Sequence, residues 1–138
     1  MSQWTHVCGC IRIDSITHQG MEEKIKEALG DIISYDSPSN DWDMADCCPE
    51  LFTPFGSEGG IKYSIWENPK HNHIAAYTVS IWGDLRDYQN VDEIKQWFNK
   101  VLYNSNLIIR DAVLSVDVEY QGKTILSRNN KERRVVSC

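Results

Sequence analysis

The sequence has no Gly-x-Ser-x-Gly elbow, no His-Glu-x-x-His, no phosphate-binding P-loop and no Gly-x-Gly-x-x-Gly turn. Serine-hydrolase, zinc-protease and nucleotide-fold chemistry therefore have no local signature to rest on. No run of about 18 apolar residues is present, which leaves no candidate membrane-spanning helix. The opening residues lack a basic-then-apolar segment, so a soluble, cytoplasmic protein without a membrane partner is expected. Basic residues are also scarce: 14 Lys and Arg stand against 20 Asp and Glu, a formal charge of −6. General nucleic-acid binding draws its affinity from neutralised phosphates, and this balance argues against it. A small anion held by a few local cations stays possible. Five cysteines make an odd count, and a reducing cytosol argues against a disulfide framework.

What the sequence does contain is regular alternation and five tryptophans. Trp4 to Ile13 reads as a strand, with Val7, Ile11 and Ile13 on one side and Trp4, His6, Cys8, Cys10 and Arg12 on the other. A helix follows, its stripe made by Met21, Ile25, Ala28, Leu29 and Ile32, with Gly30 suited to its end. Residues 34–60 form a long polar loop. Ile61 to Trp66 and Ile74 to Trp82 are two strands joined by a hairpin. Asn90 with Glu93 resembles a capping box, and Val91, Ile94, Trp97, Phe98, Val101 and Leu102 form the apolar stripe of a second helix. Ile108 to Tyr120 is the last long strand, followed by a turn at Gln121–Gly122 and a short return strand from Lys123 to Leu126. The expected organisation is one α+β domain over 1–126 with a frayed basic tail over 127–138. The order predicts a ferredoxin-like βαββαβ sandwich: an antiparallel sheet, two helices on one face, and a long loop between the first helix and the second strand.

Such a fold leaves one sheet face bare, and the alternation gives its composition. Trp4, His6, Arg12, Lys62, Ser64, Trp66, Thr78, Ser80 and Trp82 all fall on it. That set is too polar for a second core and too aromatic for a purely solvated surface. Two readings compete: a homo-oligomer seam anchored by tryptophans, or a platform on which Trp or His stacks on a base while Arg12 or Lys62 meets a phosphate. Both can hold at once, since a seam between copies supplies the concavity that a flat sheet lacks.

Weaker features have plainer accounts. His6, Cys8 and Cys10 share a strand face, but Cys-x-Cys is not the usual zinc spacing, and small buried thiols packing the strand are expected instead. His71 and His73 sit in one short hairpin loop, where exposed polar residues are the default, with a weak acid–base role open to them. Asp41, Asp43 and Asp46 lack the glycine and glutamate of a calcium loop. The stretch T-P-F-G-S-E-G-G, Thr53 to Gly60, admits a backbone anion nest, but a connection walling the edge of a binding site, packed through Trp42, Phe52 and Phe55, is the favoured reading. No catalytic residue, metal ligand or cofactor is assigned.

The opening W-T-H-V-C-G-C-I-R-I-D, Trp4 to Asp14, resembles the start of small phage-encoded proteins of unassigned function. The resemblance implies a protein of an infected bacterial cytoplasm and carries over no site residue. Phage proteins of this size include counter-defence sponges that sequester nucleotide signals. The expectation is thus a non-enzymatic, homo-oligomeric protein that binds a small anionic, nucleotide-like ligand on the open face. The alternatives are a phosphodiesterase using His6, His71 or His73, and an interaction module with no small ligand.

Overall fold

The computed structural model describes residues 3–15, 19–34, 36–67, 75–88 and 90–128. Elements run in the order β1 (Trp4–Ser15), α1 (Met21–Leu29), α2 (Ser39–Cys47), β2 (Lys62–Glu67), β3 (Ala75–Arg86), α3 (Val91–Asn104), β4 (Ile108–Val118) and β5 (Gly122–Arg128), with a 3-10 turn at Pro49–Leu51. The architecture is α+β: a five-stranded antiparallel sheet in the order β2-β3-β1-β4-β5.

β1 lies at the centre and pairs along its whole length with β3, from Trp4 opposite Arg86 to Ser15 opposite Ala75. Its odd-numbered residues Val7, Ile11 and Ile13 are buried and join Tyr77, Val79, Ile81 and Leu85 from β3 and Ala112, Leu114 and Val116 from β4. Met21, Ile25 and Leu29 of α1 and Ile94, Phe98, Val101 and Leu102 of α3 close over the same layer. Both helices thus cover one face. α1 stops at Leu29 because Gly30 takes a φ of 100°, which favours glycine, and its N–H closes back on Lys26 O. At the start of α3 the Asn90 side chain accepts the Glu93 N–H (3.3 Å). Glu93 does not complete the box; its carboxylate accepts the Tyr88 hydroxyl instead, at 3.0 Å.

Four expectations need correction. Residues 34–60 are not a structureless loop, because α2 occupies Ser39–Cys47. Ala45 is its one fully buried residue and Trp42 is partly buried, so it has too few anchors to make a visible stripe. These pack with Ile33, Phe52 and Phe55 in a second small cluster. Ile33, not Ile32, is the buried member after α1; Ile32 lies beyond the helix end and is exposed. β3 runs four residues past Trp82, because the full length of β1 is there to pair with it. Finally, β5 extends through Arg128, so Ser127 and Arg128 belong to the sheet and not to a frayed tail. Arg128 is tied to α3: it donates to Leu102 O and stacks over the Tyr103 ring at 4.5 Å. Together α2 and the fifth strand take the chain beyond a plain six-element βαββαβ. The hairpin carrying His71 and His73, and the tail beyond Arg128, lie outside the described residues.

Candidate functional site

The sheet face opposite the helices carries the nine expected ligand-binding residues, and the strand registers set their neighbours. Lys62 lies opposite Trp82, Ser64 opposite Ser80, and Trp66 opposite Thr78. Thr78 in turn faces Arg12, Ser80 faces Cys10, and Trp82 faces Cys8. Six of the nine therefore form one strip on β2 and β3: two tryptophans at diagonal corners, three hydroxyls between them and Lys62 beside Trp82. Trp66 is 59% exposed and Trp82 44%. Their backbones lie roughly 14 Å apart along the strands, four residues at extended spacing. That is too far for both rings to sandwich one planar group.

Arg12, His6 and Trp4 stand outside this strip, and the Arg12 and His6 side chains are already engaged by carboxylates. Arg12 makes a two-pronged ion pair with Asp111, Nε to Oδ1 at 2.6 Å and Nη2 to Oδ2. The guanidinium holds the Asp111 carboxyl below its ordinary range. Arg110 pairs with Asp14 at 3.2 Å, just past the irregularity between Arg12 and Ile13 where the β1–β4 register shifts.

His6 lies between two carboxylates. Nδ1 is 2.6 Å from Asp84 Oδ1, and Nε2 is 3.3 Å from Glu119 Oε2. Only the doubly protonated ring donates to both. The hydrogen bond to Asp84 is the largest influence, opposed by some burial and aided by Glu119, and the result raises the His6 pKa. Glu119 also accepts the Trp4 N–H through Oε1 at 2.9 Å, pinning the start of β1. Both ring nitrogens of His6 are thus engaged by carboxylates, and its protonated form is favoured. Among the described residues no three metal-ligating side chains converge.

Cys8 and Cys10 do not pack the core as expected. They point to the open face, Cys8 exposed and Cys10 partly so, because the even-numbered positions of β1 all face that way. Val113 lies on this face as its alternation predicts, and Ile125 of β5 joins it, a residue that the alternation of the longer strands does not place. Both are exposed there, Ile125 brought in by its register with Ser115.

The glycine-rich stretch before β2 has a definite role. Three of its N–H groups are used within the fold: Gly56 bonds to Gly59 O, Ser57 to Arg86 O and Ile61 to Pro54 O. A Cβ on Gly59 would lie 2.5 Å from Asp84 O, and one on Gly56 2.4 Å from Arg86 O. Glycine is required because the segment lies flush against the end of β3, which disfavours an anion nest.

The preceding residues wall a groove, although not one on the open sheet. A cavity of about 540 Å³ lies between Pro49–Phe55 on one side and Tyr88 with the first half of α3 on the other. Its aromatic walls are Phe52, Phe55, Tyr88 and Trp97.

Set against protein-family models, curated proteins and solved structures, the chain gives no match. Function is therefore argued from the chemistry of these surfaces.

Proposed function

We propose that the protein is a non-enzymatic binding protein whose open sheet face captures a small, nucleotide-like anion. The β2–β3 strip carries this reading: two outward tryptophans, with Ser64, Ser80 and Thr78 between them and Lys62 at one corner. Exposed indoles stack on planar groups, hydroxyls supply short directional bonds, and a surface ammonium offsets phosphate charge. Separation of the two indoles favours a ligand with two planar groups joined by an anionic linker, as in a dinucleotide. Lys62 carries the anion contact, since Arg12 is occupied by Asp111. A sponge for a nucleotide-derived signal needs nothing beyond such a surface and release of the ligand unchanged.

Val113 and Ile125 favour a companion reading for the β1–β4–β5 half of the face, as a contact between copies of the chain. We also propose that the architecture is a ferredoxin-like βαββαβ sandwich to which α2 and β5 have been added. With those set aside, the helices fall between β1 and β2 and between β3 and β4.

The test is a thermal-shift screen against mono-, di- and cyclic nucleotides, with heat release and chromatography of each hit. Ligand at a hundredfold excess over its dissociation constant adds about 2.7 kcal/mol of stability. A compound recovered intact supports capture, one recovered cleaved points to a phosphodiesterase, and no shift across the panel overturns nucleotide binding.

A further inference from the structure

We propose that the groove between Pro49–Phe55 and α3 is a second binding site, for a small organic cation: a protonated amine carried on a flat apolar body. The walls of the groove are firmly built. Leu51 and Phe52 close a tight turn by bonding to Cys48 O and Pro49 O, and Asp31 and Thr53 bridge the segment to the end of α1. The buried Thr53 hydroxyl donates to Ile61 O at 2.6 Å, fixing the floor. Phe55 is propped edge-on by Trp42, ring centres 5.8 Å apart. On the opposite wall the Trp97 indole N–H donates to Leu29 O at 2.8 Å, which holds the ring and leaves its carbon surface to the groove. Tyr88 is held at both ends, its carbonyl by the Thr5 hydroxyl and its own hydroxyl by Glu93. Four aromatic rings, Phe52, Phe55, Tyr88 and Trp97, thus line a preformed slot of the size small ligands occupy.

The charge at the rim selects the ligand. Glu50 and Glu93 line the groove with a single lysine, Lys100, so the rim is net negative. Glu93 spends Oε2 on Tyr88; Oε1 accepts no hydrogen bond among the described residues. Neither Glu50 nor Glu93 has a cationic partner among the described residues, in contrast to four acids of the open face, Asp14, Asp84, Asp111 and Glu119, which are each paired. Unpaired carboxylates beside aromatic faces attract an ammonium group twice over, by charge and by the ring quadrupole. An anion gains from neither. This site is independent of the sheet strip and takes the opposite charge.

The test uses two probes with one ring system and opposite charge, tryptamine and indole-3-acetate, in calorimetric titrations of the full chain. Tryptamine is expected to saturate with a dissociation constant below about 1 mM, and indole-3-acetate to bind at least about tenfold more weakly. The exposed pair Glu50→Gln with Glu93→Gln keeps the aromatic walls and is expected to weaken tryptamine about tenfold or more, whereas Trp66→Ala with Trp82→Ala leaves it unchanged. The proposal is overturned if tryptamine does not saturate, if the acetate binds equally well, or if the glutamate substitutions change nothing. Loss of tryptamine binding in the sheet variant would overturn it too, by placing the amine on the other face.

Discussion

The open sheet face and the α3 groove are both rich in aromatics, yet they are built in opposite ways. On the sheet, tryptophans project from a flat, regular lattice while most neighbouring charges are matched across strands: Arg12 with Asp111, Arg110 with Asp14, and His6 with Asp84 and Glu119. In the groove the aromatics are locked by hydrogen bonds and packing, and it is the carboxylates that lack cationic partners among the described residues. A residue whose bonding needs are met locally serves the fold, whereas one left unmatched is available to a ligand. That criterion is what singles out Trp66, Trp82 and Lys62 as the proposed contacts on the sheet, and Glu50 and Glu93 as the proposed contacts in the groove.

The sharpest way to break the comparison is to truncate a tryptophan in each region. Trp97→Ala removes a partly buried ring and its bond to Leu29 O, and should lower stability by about 2 kcal/mol in denaturant unfolding. Trp66→Ala or Trp82→Ala should stay within about 0.5 kcal/mol, as exposed substitutions do. Equal losses in both regions would erase the distinction.

A smaller effect separates the cations. Lys62→Met should weaken nucleotide binding about threefold or more, while Arg12→Met leaves it unchanged because that guanidinium already belongs to Asp111. Nucleotide titrations of the two variants read this directly. Arg12→Met should also weaken the protein's pH dependence on the acid side. Asp111 has a lowered pKa, so its contribution is present above the carboxyl's unfolded value and fades as pH falls through the folded one.

The smallest expected effect concerns His6. Its pKa is raised, so its stabilising contribution is complete below the unfolded value near 6.5 and is lost as pH rises through the higher folded value. Screened by solvent, the contribution stays under about 1 kcal/mol. Unfolding curves of wild type and His6→Gln should converge at high pH and separate at pH 6, with wild type the more stable. Separation in the opposite sense would mean that the ring is held neutral.

Much of the sheet was legible in the sequence because a period of two survives any detail of packing. Val7, Ile11 and Ile13 against Trp4, His6 and Arg12 could be sorted without knowing a single contact, and the registers bring together the strip that the sorting predicts. Pairing was not legible. Nothing in the order of residues says that Arg12 meets Asp111, which is 99 positions away, or that His6 lies between Asp84 and Glu119. α2 escaped notice because its inward side rests on little more than Trp42 and Ala45. The groove was only half visible: Phe52 and Phe55 marked a wall, but the facing wall comes from α3, whose Trp97 read as ordinary core. Concavity arises between elements, and a pattern along one element does not record it.

The exposed tryptophans of the sheet are the centre of the proposed ligand surface. The direct measurement is the thermal shift given by mono-, di- and cyclic nucleotides, run in parallel on wild type, on Trp66→Ala with Trp82→Ala, and on Glu50→Gln with Glu93→Gln. The expected result is a stabilised wild type, the same shift in the groove variant, and none in the sheet variant. A shift that survives loss of both sheet tryptophans, or a wild type that no nucleotide stabilises, would contradict it.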